Sequence, residues 1–160
     1  MSRVSNLHSE PDNLADKVVR RTTTTGTTVE FDPALHANRV FVLDTILTVS
    51  TLNFKLPQAV GSGDKYTFVN NAAQTFGFIV SCGVATDYLT GVAIAFSQTV
   101  AEAGDLFLTT ATSDKMTFNA TTTGGLGGDY VELVDYRPGY YLVRAHTSGA
   151  GTLATPFSAT

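Results

Sequence analysis

The stretch TLNFKLPQAVGSGDKYTFVN, residues 51–70, sets the terms of the fold. Leu52, Phe54 and Leu56 alternate with polar residues, so they share one face of an extended segment. Tyr66 and Phe68 repeat the pattern after a break. The break itself, Gly61-Ser62-Gly63-Asp64, has the composition of a tight turn. A period of two on each side of a glycine-rich turn spells strand, turn, strand, with one face turned inward.

Outward from there the same text recurs at intervals of about ten residues. Upstream stand TVEF (28–31) and RVFVL (39–43). Downstream come FGFIVS (76–81), VAIAF (92–96), DLFLTT (105–110), KMTFN (115–119), YVELVD (130–135) and YYLVRA (140–145). Met116 and Phe118, Val131 and Leu133, and Tyr141 and Val143 again fall on shared faces. Arg137-Pro138-Gly139 offers Pro and Gly at the two central positions of a type II turn. No helical apolar period persists, although QTVAEAGD (98–105) has room for one turn. Many short strands punctuated by turns predict an all-β protein, a single β-sandwich or barrel-like domain. No fixed-period repeat is present, which disfavours solenoids and propellers.

At 160 residues the chain has the size of one domain and buries roughly 70% of its unfolded surface. Hydrophobic residues make up 43% and aromatics 10%, enough for a real core. Charged residues make up only 15%, against about 25% in ordinary domains, and mean hydropathy is +0.10. So little charge leaves few ways to cover a free surface, which points to burial of part of it in an assembly.

Residues 1–28 read as a flexible arm and 29–160 as the folded body. TTTTGTT (22–28) is a low-complexity run without core formers. Before it, Asn13 is placed to cap a short helical turn with Leu14 and Val18 on one face. The first 21 residues carry Arg3, Lys17, Arg20 and Arg21 against Glu10, Asp12 and Asp16, a balance of +4 − 3 = +1. The whole chain is −4, so the remainder is −5. An acidic body gives no footing for nucleic acid. The opening MSRVSNLHSEPDN lacks a signal-peptide h-region. Asp87, Gly83 and Gly91 break the run 76–96 into two strands and a turn, so no membrane span is expected.

Residues with chemical potential are scattered. Gly124–Glu132 (GGLGGDYVE) fits the calcium-binding nonapeptide of β-helices, but such sites need tandem copies and this chain has one. A glycine-rich loop between two strands is the simpler reading. The phosphate-binding G-x-G-x-x-G fails at Tyr130. Asp129 and Asp135 share a strand face, Glu132 faces away, and all three are expected to be solvated. His8, His36 and His146 have no ligand spacing. Cys82, the lone cysteine, reads as a buried inert thiol. No catalytic set, metal site or cofactor is expected.

TLNFKLPQAVGSGDKYTFVN, with its LP-x-A strand end, GSG turn and Y-x-F-V strand, resembles a pattern in small virion proteins of tailed bacteriophages. ATDYLTGVAIAF (85–96), TSDKMTFNATTTGGLGGDYVELVD (112–135) and YYLVRAHTSGAGTLATPFSAT (140–160) are similar to the same group. The resemblance spans residues 51–160 and points to the head decoration, or cement, proteins. It implies a jelly-roll-like or β-tulip-like domain that forms homotrimers at three-fold or quasi-three-fold positions on the capsid exterior, after assembly in the host cytoplasm. Its partner would be the major capsid protein, reached by the N-terminal arm through Lys17, Arg20, Arg21, Leu14 and Val18. The alternative is a tail-tip, fibre or host-attachment module, with Tyr136, Tyr140 and Tyr141 as a sugar-stacking patch. A third reading, an unrecognised hydrolase or carbohydrate-active domain, requires a Ser–His pair or two carboxylates to meet in a pocket.

Overall fold

The computed structural model describes residues 28–44, 51–75, 77–99 and 104–160, together with the backbone of Val18–Arg21. Twelve strands follow one another among these residues: β1 (Val18–Arg21), β2 (Thr28–Glu30), β3 (Arg39–Leu43), β4 (Leu52–Lys55), β5 (Lys65–Asn70), β6 (Phe78–Ser81), β7 (Tyr88–Ser97), β8 (Gly104–Leu108), β9 (Lys115–Phe118), β10 (Tyr130–Arg137), β11 (Tyr140–Gly149) and β12 (Phe157–Ser158). One single-turn helix, α1 (Pro33–His36), intervenes; Asp32 caps it by accepting from the Ala34 amide, and Pro33 supplies the fixed φ of a first helical position.

The strands form a β-sandwich of two mixed sheets. One has seven strands in the order β1-β3-β5-β10-β11-β7-β8; the other has five, β12-β9-β6-β4-β2. The first six strands alternate between the sheets, and within each sheet neighbouring members of this set run parallel. Their registers advance by 22 residues from Val18 to Val40 and 27 from Val40 to Thr67 in one sheet. In the other they advance by 25 from Thr28 to Asn53 and 26 from Asn53 to Ile79. The first half of the chain is thus wound as a flattened coil, a geometry for which the sequence carries no repeat. Among the described residues five of the ten strand pairings are parallel, whereas an antiparallel jelly roll contains none. β7 pairs antiparallel with β8, and β10 with β11 across the Pro138–Gly139 turn.

Alternation decides which side chains meet between the layers. β4 and β5 bury Leu52 and Phe54, and Tyr66 and Phe68, as their sequences dictate. Phe54 and Phe68, on opposite sheets, have ring centroids 5.1 Å apart, and Phe31 lies 5.9 and 5.7 Å from them. Phe78 stacks on Phe118 at 4.3 Å within the five-stranded sheet. Each such ring contributes about 1.5–3 kcal/mol by leaving water. The core continues through Leu133, Val143, Tyr141 and Ala93 under the longest strands.

Val18 belongs to a strand, not to the helical turn that its spacing from Leu14 suggests, and Leu14 lies outside the described residues. The edge strand β1 pairs with β3 from Val18↔Val40 to Arg21↔Leu43. The one-turn helix considered for 98–105 falls partly outside the described residues, and its last two positions, Gly104 and Asp105, open β8.

Candidate functional site

Three aspartates are the first departure from expectation. Asp129 and Asp135, expected to be solvated, are buried at 4% and 3% exposure, and Asp87 joins them at 1%. Each closes a loop against the sandwich. Asp135 accepts from the amides of Val60, Gly61 and Ser62 at 2.7–3.1 Å and from the Ser62 hydroxyl at 2.9 Å. Asp87 takes the preceding amide, Ala59, at 2.7 Å. Four consecutive N–H groups of the loop after β4 are therefore held by two carboxylates. The shared strand face of Asp129 and Asp135 was legible; the loops that fold over that face were not.

Asp129 does the same for the glycine loop. It accepts from the amides of Gly125 and Leu126 at 2.7 and 3.1 Å and from the Ser148 hydroxyl at 2.7 Å. Gly124, Gly125 and Gly128 take φ near 100°, a region closed to most L-residues. The carboxylate faces donors, which is the opposite of what a cation requires. Burial raises the Asp129 and Asp87 carboxyls above their ordinary range. At Asp135 burial also pushes upward, but the donors from Ser62, Val60 and Gly61 outweigh it and leave the net shift downward. Beside Asp129 on the inner face, the Asn70 amide and the Thr147 hydroxyl are buried without a partner.

The other singled-out residues disperse. His36 stacks on Phe31 at 4.9 Å, and His146 is exposed on β11, 6.4 Å from Tyr130. Cys82 is half-buried, and burial pushes its thiol up to about 12. Tyr141 is a core residue that donates to the Pro57 carbonyl at 3.0 Å, so it cannot join a sugar-stacking patch. Tyr136 is 40% exposed, and the Arg137 guanidinium lies 3.8 Å over the Tyr140 ring. Asn119, in a sequon by its letters, accepts from the amides of Thr121, Thr122 and Thr123 and shapes its own turn. Among the described residues no group of three or more His, Cys, Asp or Glu side chains is placed to hold a metal. Of the arm residues, Leu14 and Lys17 lie outside the described residues; Val18, Arg20 and Arg21 have their backbone in β1, at the rim of the larger sheet. His8 also lies outside.

Two surface features remain. An open groove of about 580 Å³ runs over the outer face of the five-stranded sheet, lined among others by Thr28, Asn53, Lys55, Ser81, Asp114 and Lys115. Its polar groups largely serve each other: Lys55 pairs with Glu30 at 3.3 Å, and Ser81 donates to Asn53 at 2.9 Å.

The second feature is apolar. In β7, Ala93 and Ala95 turn inward and are buried, so Val92, Ile94 and Phe96 must face out. Antiparallel pairing sets Leu108 opposite Val92 and Leu106 opposite Ile94. Phe96, Leu106 and Leu108 are 55%, 63% and 66% exposed. Among the described residues the other exposed large apolar side chains, Leu35, Val60, Val84 and Tyr136, belong to other segments: α1, two loops and the end of β10. The sequence signal was present in VAIAF: where small alanines fill the inner positions of a strand, the bulky alternate residues are left to the outside.

Compared with known proteins, the chain matches no family model, no curated protein and no solved structure.

Proposed function

We propose that this chain is a structural virion protein, a decoration subunit that binds the outer surface of a phage capsid as a homotrimer and cements the shell. The observation that carries the reading is the β7–β8 face, where apolar side chains stand in water on an otherwise well-packed sandwich. Contiguous exposed apolar patches are often functional, protein–protein contact being one of their uses. The low charge content and the resemblance over residues 51–160 point the same way. Loops pinned by buried aspartates make a stiff body, which loses little entropy when it docks. Cementing then follows by mass action, since a ligand that binds only the closed shell stabilises it by an amount that grows with the logarithm of its excess over Kd.

The test is imaging of tailed-phage heads assembled with and without this chain. Density for it at three-fold or quasi-three-fold positions, with greater resistance of the shell to heat, is expected. Heads that never acquire it overturn the reading. Density on the tail would instead favour a host-attachment role, for which the exposed Tyr136 and the Arg137–Tyr140 pair are the relevant surface; glycan binding lost in Tyr140→Ala checks it.

A further inference from the structure

The glycine loop between β9 and β10 closes over polar groups that the described residues leave unpaired. Asn70 ends β5 on the inner face, in line with Tyr66 and Phe68; Thr147 lies on the inner face of β11, in line with Tyr141, Val143 and Ala145. Asp129, just before β10, stands between them. Its carbonyl accepts from the Asn70 backbone amide at 2.9 Å. On the other side, the pairing of Tyr130 with His146 brings Thr147 alongside it. The three side chains form one polar row at the end of the core, with Asn70 and Thr147 each 2% exposed. Asn70 Oδ1 and Nδ2 and Thr147 Oγ1 make no hydrogen bond among the described residues. Asp129 itself is satisfied by Gly125, Leu126 and Ser148, so the unpaired groups flank a carboxylate already in use. The loop lies directly on this row. A Cβ at Gly124 would come within 2.9 Å of Asp129 Oδ2 and 3.0 Å of the Thr147 Cβ. Gly128 donates to the Asn70 carbonyl at 2.7 Å, and the Gln74 amide donates to the Gly125 carbonyl at 2.8 Å.

We propose that the glycine loop seals an internal water site, in which ordered water pairs with the Asn70 side-chain amide and the Thr147 hydroxyl. The chemistry of the unpaired atoms selects the ligand. Nδ2 has only protons to give, Oδ1 has only lone pairs, and the hydroxyl has both. A cation would serve the oxygens and face Nδ2 with like polarity; an anion would do the reverse. Water donates and accepts, and buried waters settle on otherwise unsatisfied groups of this kind, with about three partners each. Left unmade, each such bond would cost about tenfold or more in the folding equilibrium. Glycine at position 124 belongs to the same design, because it lets the loop close without a side chain entering the row. The site ties β5 to β11 across Asp129, a link that direct hydrogen bonds between these side chains do not supply.

The experiment is a crystal structure of the full chain at a resolution that places water, paired with nuclear magnetic resonance of water contacts in solution. Expected are ordered waters within about 3.2 Å of the Asn70 side-chain amide and the Thr147 hydroxyl. The Asn70 side-chain protons should also show cross-relaxation with water of the sign that marks residence beyond a nanosecond. Asn71 is the control: it is exposed and donates to Asp44, so its side chain should show only the brief contacts of surface water. Stability gives a further readout. Thr147→Val keeps the shape and removes the hydroxyl, which strands the water and should lower the folding equilibrium about tenfold with the β spectrum retained. A Thr147→Val protein as stable as wild type, or more so, overturns the inference, since deleting a dry unpaired hydroxyl removes a cost. A crystal structure in which Asn70 pairs directly with Asp129 or another side chain, with no water between, overturns it as well.

Discussion

Asp135, on β10, and Asp129, in the glycine loop just before it, respond to pH in opposite senses. The donors around Asp135 hold its folded pKa below the unfolded value of about 3.9. Its stabilisation is therefore complete above that value and fades as pH falls through the folded one. Asp129 and Asp87 have raised folded values; the protein is favoured while they are protonated, and loses that contribution as pH rises through their folded values. In Asp135→Asn one oxygen becomes a donor facing donors, so the variant should lose about 2–3 kcal/mol at pH 7. The deficit should shrink toward pH 2, where wild type has lost the same charge. For Asp129→Asn the gap from wild type should instead be widest in acid and narrow toward neutrality. Denaturant titrations at several pH values check both, and parallel trends would overturn the assignment. Cys82 supplies a third test: with its thiol near 12, native alkylation at pH 8 should be at least about 100-fold slower than in the unfolded chain. Sequence showed that the two aspartates share a face but not that the face is covered, because burial depends on loops from distant segments.

At the scale of elements, period-two patterning located strands well. Arg39–Leu43 and Lys65–Asn70 have the bounds their letters suggest, and Leu52–Lys55 falls within its predicted segment. β12 is too short to show a period. α1 hides in Asp-Pro-Ala-Leu-His, where a cap and a proline do what periodicity cannot show in one turn. Pairing was not legible at all, since alternation marks a face and not a neighbour. The parallel contact of β7 with β11 illustrates what decides it. Gly91 sits opposite Val143 with φ of 150°, and a Cβ there would overlap the Val143 carbonyl oxygen. Only glycine lets the two longest strands close at that point. Gly91→Ala should cost about 3 kcal/mol or more by forcing a backbone shift, of the order seen for overpacked interiors. Thermal unfolding measures the loss. Hydrogen exchange should localise it to β7 and β8, and a variant as stable as wild type would mean the strands have room to separate.

For the molecule as a whole, low charge leads one to expect a surface covered in an assembly; among the described residues the exposed large apolar side chains cluster most closely on β7 and β8. What composition could not indicate is how the two sheets depend on one another. The chain crosses between them six times before its first hairpin, β7–β8. Each of β2 to β6 therefore has its sequence neighbours in the opposite sheet and its pairing partners a coil away. Neither sheet can assemble from a contiguous segment, and loop closure must precede most strand contacts. Residues 28–81 in isolation would also leave β5 without β10 and β6 without β9, exposing Phe68 and Phe78. Unfolding should accordingly be one cooperative transition, with tyrosine fluorescence and far-ultraviolet circular dichroism coincident in denaturant. The 28–81 fragment should be unfolded alone. Separate transitions, or a fragment with the full chain's protected amides, would instead make the wound half an independent unit. The β7–β8 face would then belong to a second unit with a stability of its own.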